Sequence, residues 1–339
     1  MKKKVLYIGN QQTQSSKATL TTIDTLSKNL KGEGFHVISA SGKKNKILRL
    51  LDMLFTVLIN RKNTVSVLID TYSTQNFWYA VAVGNLCRLL HLPYIPILHG
   101  GNLPERLQKN PFQSKKFFHG AKACVAPSHY LLNAFKEQGY TNVVFIPNSI
   151  EIDKYPLKKR ESILPKLLWV RSFAEIYNPL LALKVIERVI EIYPMATLCM
   201  VGPDKDGSLQ LCKAYAQRKK LPVMFTGKLP KEEWLQLSQS YDIFINTTLF
   251  DNTPVSVIEA MALGLPVISS KVGGIPYLLE HKENALLVAS NDQEAFVEAI
   301  IFLCYHTSEV KAITKNARTK VEQFDWQKVK QHWLTLLGE

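Results

Sequence analysis

The sequence predicts an α/β fold made of two similar halves, each a parallel β-sheet covered by helices on both faces. Short β-rich runs alternate with helical segments along the whole chain, and this alternation is typical of doubly wound parallel sheets. The chain has 339 residues, which exceeds the length of one ordinary domain. A segment with three prolines lies near the middle. We therefore expect two doubly wound domains.

The first half contains short apolar runs bounded by polar or turn residues, the pattern of buried strands. Strands are expected at Lys4–Ile8, His36–Ala40, Val65–Ile69, Tyr94–Leu98, Ala123–Ala126 and Val143–Ile146. The segments between them predict helices at Thr21–Lys31, Ile47–Asn60, Phe77–Leu90 and Tyr130–Gln138.

The second half repeats the alternation without any detectable internal sequence repeat. Strands are expected at Leu167–Val170, Thr197–Val201, Val223–Phe225, Asp242–Asn246, Pro266–Ser269 and Ala285–Val288. Helices are expected near 180–193, 208–219, 231–239, 255–263 and 292–304.

The segment from Pro147 to Pro165 carries a charge run at 158–161 and indicates a linker between compact units. We place the boundary near residue 155, which gives domains 1–155 and 156–322. The tail, 323–339, has apolar residues on one helical stripe, with Trp326 and Trp333 among them.

Composition and cysteine usage favour a soluble globular protein of the cytoplasm. Hydrophobic residues make up 46% and charged residues 21% of the chain. The five cysteines show no metal-binding spacing, which indicates buried thiols. The apolar run after the basic start, Val5–Ile8, is too short for a secretion signal, and no run approaches the twenty apolar residues of a membrane span.

The positive charge is concentrated in the first half. The whole chain has a net charge of +14. Residues 1–155 alone hold 20 Lys and Arg against 8 Asp and Glu. No nucleic-acid-binding motif accompanies this charge, so an anionic membrane surface or a phosphorylated acceptor is the favoured partner. Segment 43–62 combines cations with apolar residues, as interfacial helices do. The alternative is a core helix with a basic start.

The stretch 251–284 is the most informative part of the chain. Asp251 and Glu259 stand eight residues apart, and Pro254 suits the first turn of the helix predicted to follow. The amides at 251–254 would carry partial positive charge, which favours a phosphate or sugar hydroxyls.

This stretch resembles the signature of retaining, nucleotide-sugar-dependent glycosyltransferases of the family-4 type. In that signature Glu, seven residues and Glu are followed by A-M-A-x-G-x-P-V and then V-G-G. The chain matches with Asp251, Glu259, Ala260, Met261, Ala262, Gly264, Pro266, Val267, Val272, Gly273 and Gly274. One departure is the first acid, which is Asp in place of the usual Glu.

The resemblance implies a GT-B fold, in which two Rossmann-like domains face a cleft and the last helix returns to the first domain. It also implies transfer of a sugar, with retention, from a nucleoside-diphosphate sugar to a saccharide or lipid-linked acceptor. The setting would be surface polysaccharide or glycolipid biosynthesis, with the enzyme in the cytoplasm and peripheral on the inner face of the membrane.

The resemblance assigns roles to the residues of the motif. Glu259 would accept hydrogen bonds from the ribose hydroxyls of the donor, and Asp251 would lie near the donor sugar or the reacting centre. The amides of Asn252 and Thr253 could meet the diphosphate or the sugar. Because glycine lacks a Cβ atom, Gly273 and Gly274 could let a ligand approach the backbone.

A cation for the diphosphate is expected at the end of the first strand of the second half. Arg171 matches the family's diphosphate-binding Arg. The Lys-Gly pair that usually follows is replaced by Asn178-Pro179. Lys228 or Lys205 could supply the second cation, or either could be a solvated surface lysine.

In the first half, His99 follows a predicted strand and precedes Gly100 and Gly101. Doubly wound sheets bind ligands at the carboxyl ends of their strands, and similar enzymes place a histidine there near the donor sugar. We therefore expect His99 to act in catalysis. Gly9 ends the first strand, where the family has a glycine-rich donor-binding loop.

No metal-binding motif stands out, so metal-independent transfer without a cofactor is expected. Asp204-Lys205-Asp206 follows a strand and predicts a turn. Two alternatives remain open. One is a nucleotide-sugar epimerase of the same architecture, and the other is a degenerate nucleotide- or sugar-binding protein.

Overall fold

The structure is a computed structural model that describes residues 3–10 and 21–338. It divides into two compact units. The first comprises the chain up to Asn148 together with the residues from Val329 onward, and the second comprises Ser149–Lys328.

The first unit contains one sheet of six parallel strands within its described residues. The spatial order is β2-β1-β3-β4-β5-β6. The strands are β1 (Lys4–Ile8), β2 (His36–Ala40), β3 (Thr64–Thr71), β4 (Tyr94–Leu98), β5 (Cys124–Ala126) and β6 (Val143–Phe145). The helices are α1 (Thr22–Gly32), α2 (Lys46–Asn60), α3 (Asn76–Leu89), α4 (Leu103–Lys109), α5 (Pro111–His119) and α6 (His129–Glu137).

The central strands of this sheet are covered on both faces. Every residue of β4 is buried, and so are the last six residues of β3. A strand buried on both faces needs a continuous apolar run rather than an alternating one, which is the pattern of Tyr94–Leu98. Aromatic rings fill the space beneath the helices, with Phe118 contacting Phe77, Phe117 and Phe135.

The second unit contains six parallel strands in the order β12-β11-β10-β7-β8-β9 within its described residues. The strands are β7 (Lys166–Val170), β8 (Thr197–Val201), β9 (Val223–Gly227), β10 (Ile243–Asn246), β11 (Val267–Ser270) and β12 (Leu286–Val288). The helices are α7 (Pro179–Ile192), α8 (Ser208–Arg218), α9 (Lys231–Ser238), α10 (Val255–Ala262), α11 (Ile275–Leu278), α12 (Gln293–Tyr305) and α13 (Thr307–Val321).

The last helix, α14 (Trp326–Leu337), begins in the second unit, and its residues from Val329 onward belong to the first. Within the first unit, Lys330 forms an ion pair with Glu33 at 3.3 Å. Lys122 Nζ donates a hydrogen bond to the Leu336 carbonyl at 2.8 Å. These contacts tie the end of the chain to the first sheet and its helices.

The prediction of two doubly wound parallel sheets is confirmed. The sequence did not predict α4, α5, α11 or α13. Both α4 and α5 have a proline in the first turn, where the missing N–H costs nothing, yet each is under ten residues and shows little apolar periodicity. The pair Asp204 and Asp206 forms the predicted turn, because both carboxylates accept backbone N–H groups at the start of α8.

Candidate functional site

The order of the second sheet reverses between β7 and β10. From β7 the chain runs outward to β8 and β9, and it then returns to place β10 on the other side of β7. At such a reversal the connections leave in opposite directions and open a crevice at the carboxyl ends of the strands. Arg171 follows β7 at this point, and the loop 247–254 leads from β10 into α10.

Arg171 and Asp251 form an ion pair between Nη2 and Oδ2, and their side chains are 13% and 16% exposed. The guanidinium also stacks on Tyr177, with Cζ 4.1 Å from the ring centroid. Burial lowers the pKa of Arg171, although an arginine remains charged in proteins. Its Nε has no hydrogen-bond partner among the described residues. The group is therefore a fixed, largely buried cation with donor capacity left for a ligand.

The loop before α10 is held by its own polar contacts. Thr247 Oγ1 accepts a hydrogen bond from Trp169 Nε1 at 3.0 Å, and Thr248 Oγ1 donates to the Phe250 carbonyl at 2.8 Å. In contrast, the buried hydroxyl oxygens of Thr253 and Ser256 have no hydrogen-bond partner among residues 3–10 and 21–338. Buried polar groups are normally satisfied, so a water molecule or a ligand can pair with these hydroxyls.

Gly273 and Gly274 pack against the backbone of this loop. A Cβ atom on Gly273 would lie 2.3 Å from the Asp251 carbonyl oxygen, and one on Gly274 would lie 2.2 Å from the Asn252 carbonyl oxygen. The Gly274 amide donates to the Asp251 carbonyl at 2.8 Å. The two glycines thus allow the loop to approach closely. Their contact with a ligand stays a prediction.

Gly274→Ala should lower the free energy of unfolding by about 1–3 kcal/mol, because the added methyl group meets a backbone oxygen that cannot rotate away. The displaced loop should also weaken nucleotide binding. Thermal melting and calorimetry measure the two effects. Gly32→Ala is the control, because a Cβ atom there meets nothing within 4 Å. A Gly274→Ala protein that melts and binds like the wild type would refute this role.

Glu259 lies on α10 and is buried. Its Oε1 accepts a hydrogen bond from the Tyr155 hydroxyl at 2.8 Å and pairs with Lys231 Nζ at 2.7 Å. Lys231 Nζ also lies 5.0 Å from the Tyr155 ring centroid. Burial, and then the neighbouring Glu259, raise the pKa of Tyr155, so its hydroxyl remains a donor. The carboxylate is therefore oriented through one of its two oxygens.

The position of the second cation for the diphosphate stays a prediction. Lys228 is exposed on the turn after β9, and Lys205 is exposed before α8. Asn178 adopts a left-handed conformation (φ 46°) at the start of α7. One lysine that contacts a motif residue is Lys231, the first residue of α9. No spacing rule links it to Glu259, so this contact could not be predicted from the sequence.

Gly9 follows β1 at the order reversal of the first unit, because β1 is flanked by β2 and β3, and His99 follows β4, the next strand beyond β3. His99 Nε2 lies 2.6 Å from Asp70 Oδ1, and this oxygen also accepts a hydrogen bond from the Tyr7 hydroxyl at 2.9 Å. Gly9 packs against the same carboxylate, since a Cβ atom there would lie 2.2 Å from Asp70 Oδ2. Sequence reasoning missed Asp70, whose signal is a charged residue inside the buried strand β3.

The structure thus brings most predicted site residues of the second unit together around one loop. These are Arg171, Asp251, Asn252, Thr253, Gly273 and Gly274, with Glu259 farther along α10. Over the described ranges, no group of three or more His, Cys, Asp or Glu residues is placed to hold a metal ion.

Sequence comparisons agree with the motif. The family profile described as glycosyl transferases group 1 matches residues 164–306. The amylovoran biosynthesis glycosyltransferase AmsK of Erwinia amylovora is 33% identical over 123 residues, which are 34% of this chain and 28% of AmsK. The sulfoquinovosyl transferase of Arabidopsis thaliana is 28% identical over 151 residues, 43% of this chain and 28% of that protein. The alignments therefore span less than a third of these relatives.

Solved structures match almost the whole chain. Anabaena HepE in complex with UDP and glucose superimposes with a TM-score of 0.77 at 17% identity, covering 98% of this chain and 99% of HepE. Sucrose-phosphate synthase from Thermosynechococcus elongatus gives a TM-score of 0.79 at 14% identity, covering 99% and 98% of the two chains. This chain therefore has the GT-B fold, and its residues 164–306 match the group 1 glycosyl transferases.

Proposed function

We propose that this protein is a retaining glycosyltransferase that moves a sugar from a nucleoside-diphosphate sugar to a saccharide or lipid-linked acceptor. The observation that carries the proposal is the polar cluster at the reversal between β7 and β10. There the ion pair of Arg171 and Asp251 adjoins the start of α10, and buried polar atoms of Arg171, Thr253 and Ser256 lack partners among the described residues.

The chemistry of sugar transfer fits this arrangement. Breaking the bond between the sugar and the diphosphate places negative charge on the departing oxygen. A fixed cation and outward-facing helix amides stabilise that charge without reorganising. Asp251 can accept hydrogen bonds from sugar hydroxyls, and Glu259 from ribose hydroxyls. Retention and metal-independent transfer are carried over from the family resemblance.

A donor panel tests the proposal. UDP-, GDP- and ADP-sugars are incubated with and without acceptor mixtures, and released nucleotide is measured in the presence of a metal chelator. UDP-sugars come first because HepE was solved with UDP and glucose. A transferase releases nucleotide only when acceptor is present. An epimerase converts the donor sugar without acceptor, and a binding protein does neither.

We further propose that the acceptor is met at an anionic membrane surface through α2. Only Met53 and Val57 of this helix are buried. Six large apolar side chains of α2 are between 43% and 72% exposed, namely Ile47, Leu48, Leu51, Phe55, Leu58 and Ile59. The core-helix alternative accounts for Met53, Val57 and the partly buried Leu54, but not for the exposed apolar residues. A continuous exposed apolar face of this kind marks an interaction surface.

Cations flank this apolar face at both ends. Lys43, Lys44, Lys46 and Arg49 lie at the start of α2, and Arg61 and Lys62 lie at its end. Cations around an apolar helical face are the arrangement that binds anionic lipid at the level of the head groups. Among the described residues, no helix has the length and hydropathy needed to cross a bilayer. The proposed association is therefore through the surface.

Leu51→Ser with Phe55→Ser should weaken binding to anionic vesicles by about a hundredfold or more, because roughly 1.5–3 kcal/mol is lost for each of the two large apolar side chains that no longer enters lipid. Co-sedimentation with vesicles of anionic phospholipid measures this. Leu211→Ser is the control, since Leu211 is 70% exposed but lies on α8. Equal sedimentation of the double variant, or no sedimentation of the wild type at low salt, would contradict the proposal.

A further inference from the structure

The carboxylate of Asp70 is a buried acceptor shared by two donors from neighbouring strands. Asp70 is 7% exposed, and Tyr7, which lies on β1, is fully buried. The Tyr7 hydroxyl and His99 Nε2 reach the same oxygen, Oδ1, at 2.9 and 2.6 Å. A distance of 2.6 Å is short for a nitrogen donor and indicates a charge-assisted hydrogen bond.

This geometry determines which atoms carry protons. An ionised carboxylate can only accept, so both partners must donate to it. Burial, and then the charge of Asp70, raise the pKa of Tyr7, which keeps the phenol protonated. His99 must then hold a proton on Nε2. Its other ring nitrogen, Nδ1, is then a hydrogen-bond acceptor.

Gly9 and Tyr72 fix the positions of the Asp70 carboxylate and the His99 ring. Gly9 leaves room for Asp70 Oδ2, which would be 2.2 Å from a Cβ atom at that position. The Tyr72 ring stacks on the His99 ring with centroids 5.1 Å apart and an interplanar angle of 27°. The imidazole is thus held at one edge by Asp70 and over one face by Tyr72. Such constraints keep a functional side chain in a single orientation.

We propose that Asp70 is a positioning residue for His99. It holds the imidazole with the proton on Nε2 and keeps Nδ1 as the acceptor for a hydroxyl group of a ligand. The proposal rests on the proposed function for its ligand, but the proton position and ring orientation are properties of the unliganded protein. Partners that orient metal-binding histidines typically contribute about ten- to a hundredfold, and we expect the lower end of this range for Asp70.

Proton and nitrogen NMR of protein labelled with ¹⁵N-histidine tests the positioning directly. The spectrum is recorded with the imidazole neutral, and His99→Ala assigns the signal. We expect a downfield, slowly exchanging Nε2 proton in the wild type, and we expect Asp70→Asn to move it upfield. Tyr94→Phe is the control, because the buried Tyr94 hydroxyl of the same unit donates its hydrogen bond to the Phe117 carbonyl oxygen. An unchanged signal in Asp70→Asn, or a proton on Nδ1 in the wild type, would overturn the proposal.

Kinetics provide the second readout. Asp70→Asn should reduce sugar transfer about tenfold while leaving affinity for the nucleoside diphosphate unchanged, and it should cause no further loss in a His99→Ala background. An equal loss in both backgrounds would show that Asp70 does not act through His99. If His99→Ala transfers normally, the role of His99 in the proposed function fails, and the NMR result still decides the positioning.

Discussion

Arg171→Ala should lower sugar transfer per folded molecule by about a hundred- to a thousandfold, the scale observed when one preorganised group that stabilises a developing charge is removed. Arg171 is a fixed cation at the reversal of the sheet, stacked on Tyr177 and paired with Asp251. Charge on the diphosphate grows as the bond to the sugar breaks, so the loss should fall mainly on turnover. Nucleotide release by equal amounts of folded protein measures it.

The matched control is Arg160, a second buried arginine of the same unit. It pairs with Asp242 at 3.2 Å and donates to the carbonyl oxygens of Tyr241 and Gly264. Arg160→Ala should lower the melting temperature strongly, because these acceptors lose their partner, while transfer per folded molecule persists. If the two variants show the opposite pattern, Arg171 has a structural role and not one in donor chemistry.

Glu259→Gln should weaken binding of the nucleoside diphosphate about 10- to 100-fold. A charge-assisted hydrogen bond contributes roughly 1.5–3 kcal/mol, and the change turns one acceptor oxygen into a donor amide. The pairing with Lys231 and Tyr155 orients the carboxylate before the ligand arrives, so the wild type pays little to order it. Calorimetry with the nucleoside diphosphate measures the loss.

Glu187 offers a close control for Glu259. It also contacts one lysine and one tyrosine, since Oε1 pairs with Lys219 at 2.7 Å and Oε2 accepts from the Tyr215 hydroxyl. Glu187→Gln should leave nucleotide affinity unchanged. The loss in Glu259→Gln should persist when the free nucleoside is the ligand, because the expected contact is with the ribose. Unaltered affinity in Glu259→Gln would remove this residue from the ribose role.

The sheets were predictable because their strands are buried on both faces and therefore form short apolar runs between polar segments. Tyr94–Leu98 has the predicted bounds, and α10 ends within one residue of its prediction. Short helices such as Leu103–Lys109 were missed, because one or two turns carry too few residues to show a period.

The part of the site that lies on one loop and one helix was predictable from the motif. Residues Asp251 to Glu259 stay close in space because they are close in the chain. The other contacts depend on the topology. Asp70 and His99 are 29 residues apart, and Tyr155 and Glu259 are 104 residues apart. Only the strand order places these side chains together, and one sequence does not reveal which residues meet.

Sugar transfer is tested most directly by following a label from the donor to the acceptor. A nucleoside-diphosphate sugar labelled in the sugar is incubated with the protein and a saccharide or lipid-linked acceptor, and labelled product and free nucleotide are quantified together. We expect labelled product and free nucleotide in equal amounts, with the anomeric configuration of the donor retained and with formation strongly reduced in Arg171→Ala. Nucleotide release without labelled product, or product formed equally by Arg171→Ala, would contradict it.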